Sequence, residues 1–201
     1  MGFILSLIFL LLVLSLFLSK VKDGKAAKLA KIFRVFSLIA SISMFAYWFI
    51  KKSTVGTVEN SVSLQLINKL PQTLDFYLIK VNKSASESPL ETSHVGKIRP
   101  EYYMVEYLNM KNSDEYWIAG YLGKKNMVYF SQHSVPNKNI DQIVEVQNYI
   151  NQSEKLSDKA KKEIENYNHD TMISGIWVTM DLLLIFLNLA LILRREKTKT
   201  N

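Results

Sequence analysis

Six basic residues crowd into fifteen positions between two long apolar runs. The stretch 20–34, KVKDGKAAKLAKIFR, carries Lys20, Lys22, Lys25, Lys28, Lys31 and Arg34 against one acid, Asp23. In a short loop between membrane spans an excess of Lys and Arg marks the cytoplasmic side. That assignment constrains everything else. The first apolar run enters with the N-terminus outside, the second leaves to the outside, and a third near the C-terminus brings the chain back in.

The sequence therefore predicts an integral membrane protein with three transmembrane α-helices and a small α+β extracytoplasmic domain, an antiparallel sheet with one or two helices. The expected order is a first span over 1–19, a basic cytoplasmic loop over 20–31, a second span over 32–50 and an extracytoplasmic domain over 51–156. A charged helical stalk over 157–170, a third span over 171–193 and a basic cytoplasmic tail over 194–201 complete it. The expected location is the cytoplasmic (inner) membrane, multi-pass, with the C-terminus inside.

The formal charge of +7 invites a nucleic-acid reading, but its distribution argues otherwise. Residues 51–170 hold 15 basic and 15 acidic side chains, so the excess sits beside the apolar runs. There it orients the chain and meets anionic lipid headgroups. No basic face with interleaved aromatics occurs in the central part, and no nucleic-acid partner is expected. The chain has no cysteine, which excludes disulfides, thiolate metal sites, iron–sulfur clusters and a cysteine nucleophile.

Residues 2–19 are apolar apart from three serines and about the length of a bilayer span. A cleaved signal peptide is the competing reading. It calls for a positive leading region and a small-residue cleavage site. Nothing basic precedes this run and lysines follow at once, so a retained helix is expected. In the second span, Arg34 marks the inner end and Tyr47 with Trp48 the outer end, where interfacial residues belong. Ser37, Ala40, Ser41 and Ser43, with Ser15 and Ser19 in the first span, place small residues at helical spacing. They either admit another helix closely or bond to their own backbone; Ser37 and Ser41 are candidate contacts with a neighbouring helix or partner.

The third span contains Asp181, the one acidic side chain inside any expected span. Ser174, Asp181 and Asn188 lie seven residues apart and fall nearly on one stripe. A carboxylate near the bilayer centre costs at least about 2.5–3.5 kcal/mol, so it usually faces a partner or a water-filled cavity. The favoured reading is a protonated or hydrogen-bonded acid in a helix–helix contact with Asn188. The alternatives are a proton-relay or coupling acid and a tolerated defect.

Between the second and third spans, alternation of apolar and polar residues predicts strands at 61–68, 74–81, 101–110, 116–122 and 127–131, with a hairpin turn at 123–126. Residues 83–96 read as a loop. The spacing of Ile140, Ile143, Val144, Gln147 and Ile150 predicts an amphipathic helix over 139–150. Ser157 is the expected cap of a charged helix that either runs on into the third span or kinks at 169–171.

A search for chemistry returns no catalytic, cofactor-binding or metal-ligating set. His94, His133 and His169 are far apart and read as solvated. The glycines at 120 and 123 do not match the phosphate-loop spacing, and no Gly-x-Ser-x-Gly elbow is present. The distinctive feature is an aromatic cluster including Tyr103, Tyr107, Trp117 and Tyr121. Its rings either form the sheet core or line an exposed face that binds a partner. The expectation is a non-enzymatic accessory, scaffold or assembly subunit of a larger membrane complex. Its partners are the lipid bilayer and other membrane protein subunits, and it takes no cofactor or metal. A receptor-like sensor and an ion- or proton-coupled component using Asp181 are the alternatives.

Overall fold

The computed structural model describes residues 2–21, 24–52, 61–82 and 90–197, with backbone alone at 51–52 and 195–197. Its elements run α1 (Gly2–Leu18), α2 (Gly24–Lys52), β1 (Ser61–Asn68), β2 (Leu74–Asn82), β3 (Leu90–Ile98), β4 (Tyr103–Asn109), β5 (Ser113–Leu122), β6 (Asn126–Ser134), β7 (Gln142–Val146) and α3 (Glu154–Lys197). They divide into two compact units, residues 56–168 and residues 1–55 with 169–201.

In the unit 56–168 the strands form two sheets, β4-β1-β7 and β3-β2-β5-β6. The four-stranded sheet is antiparallel throughout. One face of it carries Leu74, Phe76, Leu78, Tyr116 and Ile118, which meet Val62, Leu64, Leu66, Leu108, Val144 and Val146 of the other sheet in one core. The opposite face carries Tyr77, Ile79, Trp117, Ala119, Tyr121 and Phe130, and is covered by Ala160 and Ile164 of α3 with Leu156 and Tyr167 beside them. Those four helix positions recur at intervals of four, four and three, the apolar stripe of an amphipathic helix. The central strand β5 is consequently buried on both faces from Tyr116 to Tyr121.

The α3 start differs from the expected one. Ser153 is the cap, accepting the Leu156 N–H on its Oγ at 3.3 Å. Ser157 lies inside the first turn, where its hydroxyl donates to Glu154 O at 2.9 Å and accepts from Asn151 Nδ2 at 2.8 Å. No break occurs at 169–171, and α3 continues as one helix of 44 residues, about 66 Å at 1.5 Å per residue. Its charged first part is not a free stalk, because Ala160 and Ile164 are buried against the sheet.

Several other expectations are corrected. The single antiparallel sheet is two sheets, one of them mixed, since β7 pairs parallel with β1. The helix expected over 139–150 is the strand β7, with Val144 and Val146 turned inward. The run Ile143, Val144, Val146 is β-branched and favours a pleated surface, and a ladder with β1 outweighs a helical stripe that finds nothing to pack on. Residues 90–96 of the expected loop belong to β3, while 83–89 lie outside the described residues. The strand expected from 101 begins at Tyr103, because Glu101 takes a left-handed backbone (φ 62°) in the turn after Pro100.

In the other unit, α1 buries Leu5, Ile8, Leu12 and Ser15 along one stripe. Ile8 and Leu12 meet Leu38 of α2 and Ile185 of α3 in an apolar cluster. The expected basic loop 20–31 is helical from Gly24 onward, since KAAKLAK contains only strong helix formers. By length and composition α2 and α3 are each sufficient to cross a membrane; α1, at 17 residues, is apolar but shorter, about 26 Å.

Gly120 on β5 provides a direct test of the two-faced packing. A Cβ there would stand 2.9 Å from Phe76 Cε1 and 3.1 Å from Tyr129 Cβ. Gly120→Ala is expected to destabilise the sheet unit by about 1–3 kcal/mol through overpacking, read as a lower thermal midpoint of the full-length protein. Gly175→Ala, where a new Cβ meets nothing within 4 Å, leaves that midpoint unchanged or raised.

Candidate functional site

Asp181 and Asn188 are both buried, but not in the expected pairing. Asn188, fully enclosed on α3, accepts the Ser15 hydroxyl of α1 on Oδ1 at 2.7 Å. Its Nδ2 donates to Leu12 O at 3.2 Å and to its own Leu184 O at 3.0 Å. Asn188 therefore joins α1 to α3, the polar contact that apolar helices use where burial drives nothing. Asp181 is also fully enclosed, and neither of its carboxyl oxygens has a hydrogen-bond partner among the described residues. The expected Asp181–Asn188 contact is absent: seven residues on one helix separate them by about 10 Å along the axis. Ser174 is half-buried on the same helix.

Ser37 and Ser41 on α2 are buried. Ser41 Oγ donates to Ser37 O at 2.8 Å, the backbone-bonding alternative, while Ser37 Oγ has no partner among the described residues. Phe9 of α1 meets Trp177 of α3 edge-on, with ring centroids 5.5 Å apart. Ser15, which anchors the interhelical bond, was legible only as one small residue among several.

The aromatic cluster separates into two populations. Trp117 and Tyr121 are buried under α3, so they belong to the core and not to a partner-binding face. Trp117 Nε1 donates to Glu115 Oε1, and burial, with Glu165 and Tyr77 nearby, pushes the Tyr121 hydroxyl up to about 12. Tyr103 and Tyr107 lie instead on the outer side of the β4-β1-β7 sheet, 60% and 64% exposed. Val105, 40% exposed, stands between them, and Ile143 of β7 is 65% exposed. Cross-strand register sets Tyr103, Val105 and Tyr107 opposite Ile67, Gln65 and Ser63, and Gln65 opposite Ile143, so these side chains share one face.

The histidines are less uniform than expected. His169 is exposed, 3.7 Å from Asp170. His94 pairs with Asp75 at 2.7 Å and stacks on Tyr77 at 4.6 Å between centroids. His133 is partly enclosed: it hydrogen-bonds Ser131 Oγ through Nε2 at 2.8 Å and lies flat on Tyr116 at 5.1 Å. Among the described residues, no three of His, Asp and Glu come together as a metal-holding group. The chain matches no protein-family model, no curated protein and no solved structure.

Burial holds His133 below its ordinary value of 6.5 because the low-dielectric site disfavours the imidazolium. The unfolded chain then binds a proton that the folded chain does not. Stability is complete above 6.5 and declines as pH falls from there through the folded value. The thermal midpoint of the wild type is expected to drop across that window, and His133→Gln, which keeps a partner for Ser131, should flatten the drop.

Proposed function

We propose that this chain is a multi-pass protein of the cytoplasmic membrane, N-terminus outside and C-terminus inside, that carries its sheet unit on the extracytoplasmic side. It serves as a non-enzymatic accessory or scaffold subunit of a larger membrane complex. The orientation is supported by charge: the basic residues gather at 20–34 and in the tail after 193, while the central part is neutral. The observation that carries the partner-binding role is the outer face bearing Tyr103, Val105, Tyr107 and Ile143. Large apolar side chains sit together there in water, while every other described strand face is covered or polar-rimmed. Tyrosine supplies wide contact area with little rotamer entropy to lose, and grouped exposed apolar residues mark interaction surfaces.

The test is to solubilise the native membrane in mild detergent, capture the protein by a C-terminal tag, and size the eluate with its co-purifying chains identified by mass. The expected outcome is a large assembly with stoichiometric partners. Exchanging both Tyr103 and Tyr107 for serine should release those partners while leaving the thermal midpoint of the subunit unchanged. Recovery of the wild type alone, as monomer or homodimer, would sink the proposal.

A second reading, an ion- or proton-coupled component, is favoured by the enclosed carboxyl of Asp181, which has no hydrogen-bond partner among the described residues. The two readings part at Asp181→Asn. Coupling chemistry is lost with the acid, whereas an accessory subunit keeps its activity and at most assembles less well.

A further inference from the structure

Strand β4 borders the three-stranded sheet, and no described strand pairs with its outer side. The direction of its backbone groups follows from one bond. Asn68 N–H donates to Tyr102 O at 3.0 Å, which makes that pair hydrogen-bonded in the continuation of the β1–β4 ladder. Antiparallel ladders alternate hydrogen-bonded and non-hydrogen-bonded pairs. Met104, Glu106 and Leu108 therefore turn their N–H and C=O groups toward β1, and Tyr103, Val105 and Tyr107 turn theirs to the open edge. These are the same three residues whose side chains cover the outer face.

An edge of this kind is unusual for a soluble unit, since natural sheets blunt exposed edges with charge, proline or short length. Here the outward side chains are uncharged, no proline interrupts the strand, and it runs for 7 residues. The one charged group of β4, Glu106, lies on the other side, opposite Leu64.

We propose that β4 pairs antiparallel with β4 of a second copy of this chain, about a two-fold axis through Val105. The argument for a second copy is self-complementarity. Read outward, the strand is Tyr-Val-Tyr in both directions, as a two-fold contact requires. Pairing about Val105 sets Tyr103 opposite Tyr107 twice, Val105 opposite itself and Glu106 opposite Met104. It satisfies the three outward backbone positions of each copy with about six N–H···O bonds. An axis through Glu106 would bring two carboxylates directly opposite, which is unfavourable, and an axis through Met104 would forfeit both Tyr–Tyr pairs. Charge does not oppose the approach, because residues 51–170 carry 15 basic and 15 acidic side chains. The product is a continuous sheet in the order β7-β1-β4-β4-β1-β7, with two tyrosine faces joined into one. The edge contact uses backbone groups and leaves the rings of that face available, so it does not depend on the accessory-subunit reading.

The absence of cysteine makes the test clean, since any introduced thiol reports alone. In the full-length protein in mild detergent, Val105→Cys is expected to give a reducible dimer on gentle oxidation. Directly opposed residues of a hydrogen-bonded antiparallel pair stand about 5.5 Å apart at Cα, within disulfide reach. Ile143→Cys, exposed on β7 at the far side of the same sheet, should form no covalent dimer. Val105→Lys, which sets two ammonium groups on the axis, should halve the apparent mass on sizing, while Val105→Thr keeps it. The proposal is overturned if Val105→Cys remains a monomer although its thiol reacts with maleimide, if Ile143→Cys cross-links equally well, or if Val105→Lys leaves the mass unchanged. A wild type purified with one copy per heteromeric assembly would overturn it too, and would leave the accessory reading standing.

Discussion

The sheet β3-β2-β5-β6 is apolar on both faces, and a sheet of that kind has to be covered twice before it is stable in water. The second sheet covers one side through Leu64, Leu66 and Val144, and α3 covers the other through Ala160 and Ile164. Most of the remaining arrangement follows. β7 joins β1 in parallel and adds Val144 and Val146 to the core. The charged half of α3 is tied down by its apolar stripe. The exposed tyrosines lie on the covering sheet's outward side because its inward side is already committed to the core.

Between the apolar helices a polar bond adds to the apolar packing. Where the surroundings are as apolar as the side chains, burial discriminates little, and small residues and polar bonds decide which helix meets which. Ser15 and Asn188 supply such a bond between α1 and α3, on the same stripe where Leu12 and Ile185 pack. α3 contributes residues to both units, its first part to the sheet unit and the rest to the apolar one.

How much of this was legible residue by residue depends on what each signal measures. β1 was read correctly because Val62, Leu64 and Leu66 alternate with polar neighbours and one face of the strand is wet. The stretch 139–150 was misread because its isoleucines and valines fit a helical stripe and a strand about equally well. The choice between them lay with a strand, β1, some seventy-five residues earlier. Trp117 and Tyr121 looked like Tyr103 and Tyr107 because tyrosine and tryptophan suit both a core and an interface. Asp181 and Asn188 stood out as polar residues in an apolar run, but their shared stripe did not reveal that Asn188 reaches α1 while Asp181 reaches no described hydrogen-bond partner.

Local composition by itself determined the three apolar helices, the basic clustering beside them and the strand-rich centre, because hydropathy and periodicity act over a few residues and need no partner to be expressed. The tertiary structure alone decided that there are two sheets, that the charged helix lies on one of them, which aromatic rings face water, and which polar side chain links the helices. Each of those outcomes is a contact between residues distant in sequence, whose free energy appears only when the chain brings both members together.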